Sequence, residues 1–314
     1  MNYTTLQDNS TQISVYESQL YQISIIIFLV LSFLTYGFFL YFIFSILAIY
    51  FTTDRIREQS RYVLFSHMLI NDTMHLSVNL FLCVAHQSFR FSGSVCYLTI
   101  VVASVTYRVT PYNLAVMSLE RYLAICFPLH YVILCTIQRS YLAIAVIWII
   151  AIIPHLSDFV IIMMKAEGMK LLSRNVLCKQ EQLFLLPVQN TIRFAFYLAS
   201  LVLVALIIFF TYIKVMLIAR KTGSSKSSAT KARKTVTLHA FQLLLCTLAL
   251  SNIITEVYGG YLVVMANFFF FVCIPRLLSP LIYGLRDKEF RKSITKMNYF
   301  ITLKKKFVNI ENEK

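Results

Sequence analysis

The sequence predicts an all-α membrane protein, a bundle of seven transmembrane helices followed by a short amphipathic eighth helix. Three observations carry that prediction. Of 314 residues, 58% are hydrophobic and 14% charged, and the mean hydropathy is +0.70, more apolar surface than a water-soluble domain of this length hides. Seven apolar stretches, at about 23–51, 62–84, 96–119, 141–164, 188–218, 235–258 and 261–285, each suffice to cross a hydrocarbon core that needs roughly 20 helical residues. Lys and Arg, finally, are segregated among the connecting loops. Barrel strands would read as alternating runs of roughly ten residues, and these stretches are too long and too uniformly apolar for that.

Residues 1–22 are polar and contain neither Lys nor Arg, whereas Arg55, Arg57 and Arg61 follow the first span. Arg220, Lys221, Lys226, Arg233 and Lys234 crowd the loop after the fifth span, and Lys288, Arg291, Lys292 and Lys304 mark the tail. The positive-inside rule then puts the N-terminus outside and the C-terminus inside. This divides the chain into an extracellular tail (1–22), a membrane domain (23–285) and a cytoplasmic segment (286–314). The first span has no small-residue cleavage site behind it and reads as a retained span. Sequons at Asn2 and Asn9 fall in the external tail, where glycosylation is expected. A third, at Asn71, falls within the second span, out of reach of a glycosyltransferase.

The net charge of +15 describes the cytoplasmic face. Its basic residues flank spans and form no single basic domain, which argues against nucleic acid as a partner and for anionic membrane lipid. Gly223 to Thr230 reads as a small polar linker. Beyond Arg286, Phe290, Ile294 and Met297 recur at helical spacing between Arg291, Lys292 and Lys296, the pattern of a helix lying on the membrane surface.

Seven cysteines leave at least one unpaired in the monomer. Cys96 opens the third span and Cys178 lies in the loop between the fourth and fifth, both on the outer side; a disulfide between them would tie that loop across the bundle mouth. No Cys/His spacing fits zinc, and there is no phosphate loop or nucleophile elbow, so neither a metal, a cofactor nor enzyme chemistry is expected.

Several motifs occur in a fixed order. They are the mid-span Asp72, the interval from Cys96 to Arg121, the run from Ser118 to Tyr131 with its acid-arginine-tyrosine triplet, Thr211-Tyr212-Ile213, Lys231 to His239, and Pro280 to Tyr283 followed by Arg286. Together they resemble the rhodopsin-like G-protein-coupled receptors, with the third-span and sixth-span motifs similar to vertebrate odorant receptors, the fish members above all. The resemblance covers about residues 61–291. The chain departs from the pattern in four places. Glu120 stands where Asp is usual, no Asn occurs in the first span, Ser279 replaces the Asn before the seventh-span proline, and Cys178 is the single cysteine of an outer loop that usually has more.

The resemblance implies a small-molecule odorant as ligand and a heterotrimeric G protein, of the stimulatory olfactory type that raises cyclic AMP, as partner. Glu120, Arg121, Tyr122, Tyr212, Lys231, His239, Pro280 and Tyr283 would form the activation switch, with Glu120 latching Arg121 at rest; the alternative for Arg121 is a snorkelling anchor. Pro275 and Pro280 each remove a helical hydrogen bond, which gives the seventh span either a hinge or a static kink. Asp72, with Thr110 and Ser279, is either a water- or sodium-linked hub or a neutral hydrogen-bonded acid, and the missing asparagine makes sodium doubtful.

The ligand pocket implied by the resemblance lies in the outer half of the bundle. Counting inward from Cys96 gives Ala103, Ser104, Tyr107 and Arg108; matching depths give Phe196, Tyr197 and Ser200, then Thr247, Ser251 and Ile254, and Phe269 and Cys273. Aromatic walls with a few hydroxyls suit a small, mostly apolar molecule, though any one of these aromatics could serve ordinary packing. Arg108 invites a carboxylate ligand, or else pairs with Glu256 or a backbone carbonyl. His75 and Arg276 are further intramembrane polar residues without an assigned place. Competing readings are a seven-helix receptor for a non-odorant ligand, and a transporter or channel, which would predict internal repeats that the chain lacks.

Overall fold

In the computed structural model, residues 3–88, 90–178 and 187–221 are described, with scattered positions at 237, 241, 244, 263, 268–274, 276 and 277. The elements are α1 (Tyr3–Thr52), α2 (Asp54–Arg57), α3 (Ser60–Ser88), β1 (Arg90–Ser92), α4 (Gly93–Cys126), α5 (Pro128–Leu134), α6 (Ile137–Met164), α7 (Ala166–Ser173), β2 (Asn175–Leu177) and α8 (Pro187–Lys221). Near the end of the chain, Phe268–Cys273 forms a π-helical turn.

Five helices among the described residues are long and apolar enough to span: Gln22–Thr52, Ser60–Ala85, Gly93–Cys126, Ile137–Met164 and Thr191–Ile218. They match the first five expected spans to within a few residues at most ends; the largest difference is the C-terminal end of the third, which runs on to Cys126. Its extra turns carry the triplet. The first helix also starts earlier than the apolar stretch, at Tyr3. Most of the sixth and seventh spans and the whole amphipathic segment lie outside the described residues.

Each span buries a stripe and leaves the rest of its surface apolar. In α1 the buried positions are Ile25, Ser32, Phe39, Ile43, Ile46, Ile49 and Tyr50, while Phe33, Phe38 and Phe44 are exposed. That spacing of three, four or seven selects one face of a helix. An exposed phenylalanine here faces hydrocarbon, so it carries no penalty. The third span is the most buried of the five and the first the least; α4 packs against α3, α6 and α8 at once. It continues through Pro111, and α6 through Pro154.

Lipid tails are as apolar as leucine, so hydrophobic burial alone does not hold the helices together; close packing and interhelical hydrogen bonds do. One such tie joins three spans. The Trp148 indole donates to His67 Nε2 at 2.9 Å, and His67 Nδ1 lies 3.3 Å from Asn113 Oδ1. An indole only donates, so Nε2 is the acceptor and Nδ1 carries the proton toward Asn113. Asn113 in turn donates to the Leu64 carbonyl at 3.2 Å. Trp148→Phe keeps an aromatic ring but removes the donor and part of the ring volume, and is expected to lower stability by about 1 to 3 kcal/mol, read as a lower unfolding temperature of the purified protein; an unchanged temperature would show the indole bond to be idle.

At the end where the third span begins, β1 and β2 pair antiparallel, Arg90 opposite Leu177 and Ser92 opposite Asn175. This two-stranded ribbon presents Cys178 to the first turn of α4. Cys96 and Cys178 are disulfide-bonded, with Cα atoms 5.4 Å apart and 82 residues between them in sequence. Gly93 N donating to the Arg174 carbonyl and Ser94 Oγ to the Leu172 carbonyl fasten the same loop. Cys83, Cys126, Cys135 and Cys273 are free among the described residues.

Candidate ligand site and polar switch

Asn71, Asp72, His75 and Asn79 lie on one face of α3, at the spacing of successive turns, opposite Ala103, Thr106 and Thr110 on α4. The two stripes meet through hydrogen bonds. Asn71 Nδ2 donates to the Thr106 carbonyl at 3.0 Å and to Thr110 Oγ1 at 3.1 Å, and Thr110 Oγ1 donates to Asp72 Oδ1 at 3.2 Å. His75 Nδ1 reaches Thr106 Oγ1 at 3.0 Å and the Ala103 carbonyl at 3.2 Å. A carbonyl only accepts, so Nδ1 carries the proton and Nε2 is left to accept from Asn79 Nδ2 at 3.1 Å.

Asp72 is completely buried, and its counter-charge is Arg276, whose Nε lies 3.3 Å from Asp72 Oδ1. Arg276 also donates Nη1 to the Val272 carbonyl at 3.1 Å and sits over the Tyr107 ring at 5.7 Å. Thr110 thus stands beside Asp72 as the sequence leads one to expect, Ser279 lies outside the described residues, and Arg276 is the partner that spacing alone does not identify. Sodium does not fit beside Asp72: the guanidinium holds the position a cation would take and would repel a second one.

Of the expected pocket residues, the third and fifth spans bring two pairs together. Tyr107 and Tyr197 lie with ring centroids 5.4 Å apart, and Arg108 lies over Phe196 at 5.8 Å. Ser200 is buried and committed to packing: it donates to the Phe196 carbonyl at 2.7 Å and accepts from Tyr112 at 2.5 Å. Ala103 turns its carbonyl toward the second span, and Ser104 is half-buried. Phe269 packs against the main core and Cys273 is buried within it. Thr247, Ser251, Ile254 and Glu256 lie outside the described residues. Arg276, over Tyr107, is the physical link between this aromatic group and the Asp72 hub.

Toward the fourth span stands a cluster that the expected site does not include. Asp158 accepts from Gln189 Nε2 at 3.3 Å and lies 3.6 Å from Arg193 Nε and 3.7 Å from His155 Nδ1, all four residues being buried. The signal for it was present, since an ionisable residue inside a span is a site candidate by default.

At the opposite end of the bundle, Glu120 is buried and Arg121 half-buried, with Arg121 Nε 3.4 Å from Glu120 Oε2. Tyr131, on the short helix α5, donates to Glu120 Oε1 at 2.7 Å. Glu120 therefore has two partners, and Tyr131 is one the motif comparison does not assign. Burial, and then the Glu120 carboxylate, push the Tyr131 phenol up from its ordinary value, and the same two causes raise the nearby Cys135 thiol to about 11. Both groups stay protonated at neutral pH, so Tyr131 remains a donor. Tyr122 lies edge-on to Phe127 and Phe210, each at 5.7 Å, which braces the third span against the fifth. Tyr212 is half-buried against the core. Lys231, His239, Pro275, Pro280 and Tyr283 lie outside the described residues, as does Asn2; Asn9 falls within the backbone of α1.

Comparison with known proteins agrees with this arrangement. The chain is 28% identical over 207 residues to odorant receptor 131-2 of Danio rerio, an alignment covering 63% of each chain. It is 27% identical over 191 residues to the olfactory receptor-like protein OLF4 of Canis lupus familiaris, covering 58% of this chain and 60% of the relative. Both alignments thus span less than two thirds of the relative's length. The family model described as 7 transmembrane receptor (rhodopsin family) matches residues 44–303, from within the first span onward. With a disulfide pinning the loop above the third span and a buried acid beside an arginine at that span's other end, the chain belongs to the rhodopsin family of seven-transmembrane receptors.

Proposed function

We propose that this multi-pass membrane protein is a chemosensory receptor that binds a small odorant in the outer half of its bundle and activates a heterotrimeric G protein of the stimulatory type, raising cyclic AMP. The observation that carries this reading is the Glu120–Arg121–Tyr131 arrangement at one end of a bundle whose other end holds an aromatic group in contact with a buried ion pair. The names of the two relatives, an odorant and an olfactory receptor, supply the ligand class. The basic loops and tail put the N-terminus outside and Arg121 in the cytosol, with residues 1–22 outside, 23–285 in the membrane and 286–314 inside.

In the resting bundle Glu120 holds Arg121 and Tyr131. Ligand binding against Tyr107 and Tyr197 favours an arrangement in which Arg276 shifts with Tyr107, the polar hub follows, and Arg121 is released toward the G protein. This is a population shift, and it requires only that the ligand bind the active arrangement more tightly. The first span's missing asparagine does not deprive Asp72 of a partner, because Arg276 serves.

Arg121→Ala tests the reading. In cells expressing the full chain with an olfactory G protein, ligand-evoked cyclic AMP is expected to disappear at unchanged surface level. A response that survives would refute G-protein coupling through this residue. Substrate uptake or current without G protein would make the chain a transporter or channel.

A further inference from the structure

We infer that the pocket takes a small monocarboxylate anion, with Arg108 as the residue that receives the carboxylate. The inference rests on the receptor reading above and names the ligand class of the same site.

The third, fourth and fifth spans place two guanidinium groups and one carboxylate within electrostatic reach of one another: Arg108, Arg193 and Asp158, with His155 among them. The carboxylate is already engaged. Asp158 Oδ1 accepts from Gln189, and Oδ2 faces Arg193 at 3.6 Å and His155 at 3.7 Å. Arg108 has no such partner. It is 6% exposed, its Nη1 is buried without a hydrogen bond, and among the described residues no carboxylate lies within 4 Å of it. Its guanidinium carbon lies over the face of the Phe196 ring, 5.8 Å from the centroid.

Arginine does not discharge itself by losing a proton. Among the described residues, two permanent cations against one anion therefore leave a single positive charge uncompensated in a low-dielectric interior, an expensive state unless something completes it. A carboxylate does so best, because its two oxygens match the guanidinium fork and because it supplies one negative charge. A phosphate dianion would overcompensate. An amino acid would bring an ammonium group whose natural partner, Asp158, is held by Arg193, His155 and Gln189. The Tyr107–Tyr197 pair, with ring centroids 5.4 Å apart, flanks the same span and suits a short apolar body attached to the carboxylate.

The test uses the full chain purified into lipid nanodiscs at neutral pH. Unfolding temperature is measured with straight-chain monocarboxylates from acetate to decanoate and with their primary amides, alongside cyclic AMP in expressing cells. At least one acid is expected to stabilise the chain at a concentration about tenfold or more below that of its amide. Arg108→Gln should abolish that preference and Arg108→Lys keep part of it. Without ligand, Arg108→Gln should unfold no lower than the wild type, since it removes an uncompensated charge; this also establishes that the variant folds. Amides matching acids, retention of the preference in Arg108→Gln, or stabilisation by amino acids but by no monocarboxylate would each overturn the proposal. Neutral compounds that evoke Arg121-dependent signalling while acids stay silent would remove the ligand class and leave the receptor. Acids that stabilise the chain but evoke no signal would do the reverse.

Discussion

Asp72→Asn is expected to destabilise the bundle more than Arg276→Leu, although the two substitutions break the same ion pair. Arg276 is 2% exposed and Asp72 fully buried. Breaking a buried pair by removing one partner costs about 3 to 5 kcal/mol, because the other charge is stranded. The stranded partners differ in their escape. A lone carboxyl can take up a proton, and Thr110 and Asn71 remain nearby to hydrogen-bond it; a lone guanidinium stays charged. Arg276→Leu should therefore fall at or below the lower end of that range and Asp72→Asn at the upper. The double variant, which strands nothing, should recover much of the loss, as replacement of buried ion pairs by neutral groups commonly does. Unfolding temperature and surface level of the four proteins form the cycle. Equal losses in the single variants, or strictly additive losses in the double, would mean that the pair is not a closed electrostatic unit.

Cys96→Ser should release the loop that crosses the mouth of the bundle. The bond closes a loop of 82 residues' separation, for which chain entropy predicts about 4 to 5 kcal/mol. Much of that chain is held as helix by the bilayer, so the loss concentrates on the two-stranded ribbon of Arg90–Ser92 with Asn175–Leu177 and on α7. Faster hydrogen exchange there, with the fourth span's exchange little changed, is the expected signature, together with a marked fall in surface level. Cys178→Ser and the double variant should behave like Cys96→Ser. A double variant distinctly worse than either single would show that the free thiols do something beyond pairing.

The first five spans are legible in the sequence because lipid imposes one rule on every exposed backbone group and one minimum length on every crossing. The same applies to Cys96 and Cys178, to the Glu120–Arg121 pair, and to Asp72 with Thr110. Each is fixed by position along a helix whose ends are visible as changes in composition. What the sequence does not carry is which helix faces which. Arg276 and Asp72 are separated by most of the chain, and no periodicity joins them. His155 and Asp158 lie one turn apart, as do Gln189 and Arg193, but nothing in the order of residues joins the two pairs. Tyr131 looks like part of a loop until α5 turns its hydroxyl onto Glu120. Ser200, chosen by depth as a ligand contact, has its hydroxyl taken up by Tyr112 and the Phe196 carbonyl, because depth does not determine rotation about a helix axis.

By itself, the amino-acid order determined that this chain is a helical membrane protein and where its first five spans lie, because hydropathy acts locally and at fixed spacing, while its ordered motifs carried the resemblance to the rhodopsin family. Tertiary structure alone decided which buried charges neutralise one another, that Arg276 answers Asp72 and Arg193 answers Asp158 while Arg108 is left without a carboxylate among the described residues. Charge pairing in a low dielectric depends on distances of a few ångströms between helices, and those are set by how the faces pack.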